Sequence, residues 1–174
     1  IDDGLTLYDK TTNEAYEDFF GFEDRGDIGN EYIYFQPKGT EPIYAELKTH
    51  EVLENNARYA KILLKHDLTI PVSADEKLDA EQRGIIEFMN REAGRSEELT
   101  TIPLETELTV FVDDPQIRFK TRFTNTAKDH RIRLLVKTYN TRPSNDSESI
   151  YEVVTRPNKP AASWENPENP QHQQ

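Results

Sequence analysis

A chain of 174 residues is long enough for one substantial domain with its own core, and its low hydrophobic content of 34% favours one core over two compact domains. The formal net charge of −12 argues against nucleic acid and against anionic membranes as partners. The absence of cysteine excludes disulfides, zinc–thiolate sites and cysteine nucleophiles, and it is consistent with a cytoplasmic location.

Short strands are predicted along most of the chain. Segments 5–8 and 15–16 flank a polar turn and predict a hairpin, and 19–23 continues as extended chain. Segment 32–35 is read as an aromatic strand that stops at Pro37 and Gly39. The later strands are predicted over residues 43–53, 59–70, 104–112, 117–123, 131–136 and 150–154. Many short strands separated by turns predict a mainly β fold, an antiparallel β-sandwich.

One segment, 79–93, has helical periodicity and is predicted as a short helical insertion among the strands. Asp79 would cap its N-terminus, with Gln82 at the capping-box position, although Gly84 weakens the pattern. Gly94 would end it. The residues expected near one helical face are Ile85, Ile86, Met89 and Ala93.

The chain divides into a sandwich domain over 1–156 and an extended tail over 157–174. The tail is rich in Pro, Asn and Gln and cannot build a core alone, and Trp164 would anchor it to the body. Because the chain opens on Ile-Asp-Asp, it is interpreted as part of a longer polypeptide, and the tail as leading to strands outside the sequence.

Residue spacing gives no metal site, serine nucleophile or phosphate loop. The histidines, His50, His66, His130 and His172, show no metal-ligand spacing, so no metal is expected within the sequence. There is no Gly-x-Ser-x-Gly elbow and no glycine-rich phosphate loop.

The stretch 22–34 is the strongest candidate for binding a polyhydroxylated ligand. It is interpreted as an acidic loop with two glycines, Gly26 and Gly29, that runs into the aromatic strand. Asp24, Asp27 and Glu31 would be a source of the two carboxylates, about 5–9.5 Å apart, that glycoside hydrolysis requires. A solvated acidic loop explains the same residues.

Segment 125–133 is a second candidate because it combines a turn, an acid, a histidine and two arginines. Arg131 and Arg133 alternate and should share one face of a strand. They either pair with exposed acids or reach the wall of a cleft beside a sugar or an anion.

These two motifs together resemble the β-rich domain of bacterial glycoside hydrolase family 38 α-mannosidases. The run Glu23-Asp24-Arg25-Gly26-Asp27-Ile28-Gly29-Asn30-Glu31-Tyr32 resembles the family's Glu-Asp-x-x-Asp-x-Gly-Asp-x-Tyr signature, with Asn30 in place of the usual Asp. The run Asn125-Thr126-Ala127-Lys128-Asp129-His130-Arg131-Ile132-Arg133 resembles its Asn-x-x-x-Asp-His-Arg-Leu-Arg stretch, and a Tyr-Glu-Val-Val-x-Arg-Pro segment follows at 151–157.

The resemblance implies a large retaining α-mannosidase, of which this sequence is the central β-sandwich of galactose-mutarotase-like (supersandwich) type. In the family, a preceding α/β barrel carries a zinc ion, an aspartate nucleophile and an acid/base carboxylate, and a helical bundle lies between. Zinc would therefore be a cofactor of the missing barrel, and no catalytic residue is expected in this chain. The partners implied are an α-mannoside substrate and the missing barrel and bundle.

The resemblance also transfers one pocket residue. Tyr32 stands where a family tyrosine reaches across the domain boundary into the active site, and its hydroxyl would hydrogen-bond the nucleophile or the sugar. The adjacent Asp27 and Asn30 would bind sugar hydroxyls. For Arg131 and Arg133 the position transfers but no role does.

Two other functions account for the same sequence. A stand-alone carbohydrate-binding sandwich would use Tyr32, Tyr34 and Phe35 as a stacking platform. A purely structural module would brace a larger protein or form a homodimer, through exposed apolar surface.

Overall fold

The computed structural model describes residues 4–30 and 32–158, and strands dominate this part of the chain. All pairings between them are antiparallel. In chain order the strands are β1 (Leu7–Asp9), β2 (Glu14–Tyr16), β3 (Phe20–Gly26), β4 (Ile43–Tyr44), β5 (Glu46–Asn55), β6 (Tyr59–Pro71), β7 (Leu99–Phe111), β8 (Ile117–Arg122), β9 (His130–Val136), β10 (Ser144–Ser149) and β11 (Glu152–Pro157).

The larger sheet has the order β5-β6-β7-β8 and supplies one wall of the core. Its central strands β6 and β7 are 13 residues long and pair along their whole length. Alternation along both strands sends every second side chain inward, while the opposite face carries solvated Lys65 and Glu105. The buried inward residues are Leu64, His66, Leu68 and Ile70 of β6, and Ile102, Leu104, Thr106 and Leu108 of β7.

The smaller sheet, β4-β3-β9, packs its central strand against this wall. Phe20 and Phe22 of β3 are buried, and the Phe20 ring stacks on Phe119 of β8 with centroids 4.8 Å apart. Burying such aromatic surface is the main source of stability for two facing sheets. The predicted antiparallel β-sandwich is thereby confirmed.

Strand β5 forms one edge of the larger sheet and is irregular. Its pairing with β6 shifts register twice, between Leu47 and Thr49 and again between Val52 and Glu54. Each shift adds a residue on one strand and bends it.

The predicted helix exists but is shorter and begins earlier than expected. Helix α1 spans Lys77–Arg83, and a separate 3₁₀ turn spans Phe88–Asn90. The helix ends because Gly84 is a poor helix former and Ile85 has a positive φ of 55°. Asp79 lies inside the first turn rather than at the N-cap, which is Glu76. Ile85 is exposed, so the expected apolar face was wrong.

One predicted strand was also wrong, and another was shifted. Residues 32–35 form no strand; they belong to a loop. The strand expected at 150–154 begins only at Glu152, because Ile150 and Tyr151 form the turn of a hairpin. The first strand of that hairpin, β10, is too polar to have been recognised.

Trp164 lies outside the described residues, and the division at residue 156 stays a prediction. No helix in the described part of the chain is long and apolar enough to cross a membrane.

Candidate functional site

Residues 27–36, the acidic loop, leave strand β3 and are closed on themselves by side-chain hydrogen bonds. Asp27 Oδ1 accepts the backbone N–H groups of Gly29 at 2.9 Å and Phe35 at 3.1 Å. The Ile28 N–H donates to the Phe35 carbonyl at 2.8 Å, which pairs the two arms of the loop. A carboxylate that accepts two backbone donors fixes the loop's exit and return.

The tip of the acidic loop is an Asx turn centred on Asn30. Asn30 Oδ1 accepts the N–H groups of Tyr32 and Ile33, both at 2.9 Å. Glycine is required at position 29, because a Cβ there would lie 1.8 Å from the Ile33 carbonyl oxygen. Asp27 Oδ2 and the Asn30 amide nitrogen form no hydrogen bond with any of the described residues.

The loop is anchored from outside by the segment that follows α1. Arg91 donates through Nη1 to the carbonyls of Ile28 and Gly29, at 2.9 Å for the latter. Ile28 is buried in a small cluster with Ala74, Leu78 and Ala93. The short helix therefore acts as a support for the loop.

Tyr32 stands out from this fixed loop. It is 88% exposed, and no hydrogen bond to its hydroxyl forms within the described residues. Beside the loop lies an open polar pocket of about 520 Å³, which Tyr32 does not line. Asp27 and Asn30 both do, so two of the three predicted site residues meet there. The pocket-lining residues are Asp27, Gly29, Asn30, Gln82, Arg91, Asp129 and His130.

Behind the pocket lies a buried ionic network around Asp24, which is fully buried. Its Oδ2 accepts a bond from Arg95 Nη1 at 2.5 Å, and its Oδ1 lies 2.6 Å from His130 Nδ1. The other ring nitrogen, Nε2, is 3.0 Å from Asn125 Oδ1. Asp24 thus links β3 to the start of β9, and this burial contradicts the solvated-loop interpretation for this residue.

A second buried acid, Glu23, is held on the other face of β3. Arg25 Nε lies 2.9 Å and Arg133 Nε 2.7 Å from Glu23 Oε1. Burial acts to raise the pKa of Glu23, but the hydrogen bonds and charges of Arg25 and Arg133 outweigh it, so the net pKa is lowered. Arg133 therefore pairs with a buried acid, not with an exposed one.

Arg131 has a different environment. Its guanidinium lies 3.7 Å from the ring centroid of Tyr34, a cation–π contact. Within the described residues it makes no ion pair, and its Nε and Nη2 are buried without a hydrogen-bond partner. Leaving such donors unpaired is costly unless something outside these residues meets the charge.

Two other hypotheses from the sequence are not supported, namely the stacking platform and a catalytic role for Asp24. The stacking platform does not form: Tyr34 lies under Arg131 and the Phe35 ring packs against Phe88, which leaves only Tyr32 open. Asp24 is committed to Arg95 and His130, so it is unsuited to a catalytic pair, and Glu31 lies outside the described residues. No three metal-ligating side chains converge in the part of the chain that is described.

Sequence reasoning missed Arg91 and Arg95, which bind the acidic loop and Asp24. Neither stands in a motif, since both follow the helix in an irregular segment. The only signal was an excess of arginine close to the predicted helix end.

Comparison with known proteins identifies the family to which this chain belongs. The family model described as the glycosyl hydrolases family 38 C-terminal domain matches residues 2–174. A protein named putative mannosylglycerate hydrolase, from Halalkalibacterium halodurans, is 38% identical over 97% of this chain and 19% of its own length.

Two solved structures from Enterococcus faecalis are also similar. One, an α-mannosidase of strain V583, is 41% identical with a TM-score of 0.87 and covers 99% of this chain and 20% of its own. The other, described as a protein in glycosyl hydrolase family 38, is 39% identical with a TM-score of 0.82, over 89% of this chain and 19% of its own. The chain thus spans about a fifth of the length of these relatives. It belongs to glycosyl hydrolase family 38, within that family's C-terminal domain.

Proposed function

We propose that this chain is the β-sandwich of a retaining α-mannosidase and lends Tyr32 to an active site whose catalytic groups lie elsewhere in the polypeptide. The observation that carries the proposal is the exposed side chain of Tyr32, on a loop that is held in place by hydrogen bonds from its own side chains. Family membership and the α-mannosidase relative support the reaction class. Hydrolysis would proceed through a mannosyl-enzyme intermediate.

A side chain that completes a pocket across a domain boundary must be held in place before substrate arrives. Asp27, Asn30 and Arg91 supply that rigidity, while Tyr32 offers a ring and a hydroxyl. Asp27 Oδ2 and the Asn30 amide would then meet sugar hydroxyls from the adjoining polar pocket.

The test is Tyr32→Phe in the full-length enzyme, assayed with an aryl α-mannoside. Loss of one hydrogen bond to the nucleophile or the sugar should lower kcat/KM about 10- to 100-fold. Tyr44→Phe is the matched control, because Tyr44 is also exposed but lies on β4 rather than on the loop. An unchanged kcat/KM in Tyr32→Phe would reject the proposed role.

The name of the H. halodurans relative suggests a second candidate substrate, a mannoside whose aglycone is the carboxylate glycerate. The observation that favours it here is Arg131, which lies beside the acidic loop with no acidic partner among the described residues. A guanidinium stacked on a ring and lacking a counter-ion is suited to a carboxylate.

This substrate preference is tested with Arg131→Gln in the full-length enzyme. The ratio of kcat/KM for mannosylglycerate to that for an aryl α-mannoside should fall roughly 10-fold or more, the effect of losing a charge-assisted bond. The ratio does not depend on the folded fraction, so partial misfolding does not affect it. A ratio equal to that of the unmodified enzyme would exclude an Arg131–aglycone contact.

Three further features belong to the same proposal. Zinc would be held by the catalytic barrel, outside this chain. Chelation should therefore abolish the activity of the full-length enzyme, and this chain alone should be inactive. The full-length enzyme would form a homodimer. A cytoplasmic location is supported by the cysteine-free composition.

A further inference from the structure

The hairpin of β10 and β11 stands apart from the rest of the structure. Its strands pair from Ser144↔Pro157 to Ser149↔Glu152, and the Asn158 N–H closes its base on the Pro143 carbonyl. No other described strand or helix comes within 8 Å of it, measured between Cα atoms. Isolated two-stranded hairpins are only marginally stable in water.

The tip of this hairpin has the wrong chemistry for a solvent-exposed turn. Ile150 is 82% exposed, Tyr151 is completely exposed and Val153 is 70% exposed. Tyr151 also has a positive φ of 63°, a conformation that favours glycine or asparagine. Both the exposed apolar area and the backbone strain destabilise the hairpin, and no strand or helix elsewhere in the described part of the chain packs against it.

We propose that this hairpin is a docking arm whose apolar tip inserts into the remainder of the same polypeptide. About four fifths of each relative's length lies outside the stretch that this chain covers, so a partner surface of ample size is available. The match to the E. faecalis α-mannosidase covers 99% of this chain, so it extends over the hairpin.

The arm also specifies the chemistry of its receiving surface. Its tip presents one aromatic ring, that of Tyr151, and two branched aliphatic side chains, those of Ile150 and Val153, which fit an apolar cleft. Asp146, Glu148 and Glu152 flank the tip on the strands, against the single cation Arg156. The cleft should therefore have a basic rim.

The first experiment is photo-cross-linking of the full-length enzyme with Tyr151→p-benzoylphenylalanine. The expected product is a cross-link within one polypeptide, to a residue outside the sequence 1–174. Tyr8→p-benzoylphenylalanine, at an exposed site on β1, is the control. A cross-link between two polypeptides would replace the inference with a second copy as the occupant. Cross-linking to residues 1–174 only, or none, would overturn it.

The second experiment replaces the apolar tip with residues that favour a tight turn and measures amide hydrogen exchange. The double substitution Ile150→Asn and Tyr151→Gly installs the pair that two-residue hairpin turns favour. An arm exposed to solvent would then exchange its amide hydrogens at the same rate or more slowly. If the tip is docked, exchange of residues 144–157 in the full-length enzyme should accelerate at least 10-fold, and slower or unchanged exchange would contradict docking. Neither readout depends on mannosidase activity.

Discussion

At the scale of single residues, polar side chains at this site act as backbone substitutes. Asp27 and Asn30 accept the N–H groups of Phe35, Tyr32 and Ile33, which a neighbouring strand would otherwise have bonded. This competition explains why the aromatic segment is a loop. The same bonds give Tyr32 a defined position although its ring touches little else.

Gly29→Ala tests how strongly activity depends on the position of Tyr32. The added Cβ would overlap the Ile33 carbonyl at 1.8 Å, so the tip must open and Tyr32 must shift. In the full-length enzyme we expect kcat/KM on an aryl α-mannoside to fall about 100-fold, the effect of a displacement near 1 Å.

Gly21→Ala provides the control for this substitution. A Cβ at Gly21, on the same strand that leads into the loop, meets no atom within 4 Å. It should leave kcat/KM unchanged. Equal activity in both variants would show that loop geometry does not control the pocket.

At the scale of elements, α1 contributes support rather than core. It has seven residues, and Leu78 is its one buried side chain, packed with Ile28, Ala74 and Ala93. Because Ile28 belongs to the acidic loop, the helix and the loop share one small apolar contact. Arg91, after the helix, adds bonds to the carbonyls of Ile28 and Gly29.

Leu78→Ala should therefore loosen the loop more than the sandwich. Truncating a buried leucine costs roughly 2 to 5 kcal/mol, here confined to the small cluster. Hydrogen exchange of the full-length enzyme should accelerate in α1 and in residues 27–36 but not in β6 and β7. Lys77→Ala, at an exposed position of the same helix, is the control. Uniform acceleration across all of these segments would contradict this separation.

At the scale of the whole molecule, His66 joins the two sheets. It lies on β6, 4% exposed, with its ring 5.4 Å from Phe22 and 6.0 Å from Phe20 between centroids. Burial lowers the pKa of His66, because the charged imidazolium is poorly solvated there. The folded protein therefore favours the neutral form of this histidine.

The consequence is a pH-dependent stability. A lowered folded-state pKa contributes stability above the unfolded value, about 6.5, and that contribution is lost as pH falls from there through the folded pKa. Denaturant unfolding of this chain between pH 7.5 and pH 5 should show a decline in the free energy of unfolding that His66→Gln reduces. His50→Asn, at an exposed histidine of β5, should keep the full decline. An identical slope in His66→Gln would refute the assignment.

Sequence alone identified most strands of the two larger sheets and missed β10, whose residues Ser144–Ser149 are too polar to be recognised as a strand. Strands β6 and β7 were recognised from their regular inward residues, but the start of β7 was lost because Pro103 argues against a strand. The burial of Glu23 and Asp24 was beyond sequence reasoning. Their partners Arg133 and Arg95 lie 110 and 71 positions away, and only the tertiary fold brings them together.

The irregular edge strand β5 has a consequence for how the protein behaves at high concentration. An open edge presents unpaired backbone groups on which a second copy can add a strand and start a fibril. On β5 the two register shifts leave no run in continuous register that is longer than four residues, Thr49–Val52. The opposite edge, β8, carries Arg118, Lys120 and Arg122 on one face, so a second copy of the strand meets like charge. Both edges of the larger sheet thus discourage the growth of intermolecular β-structure.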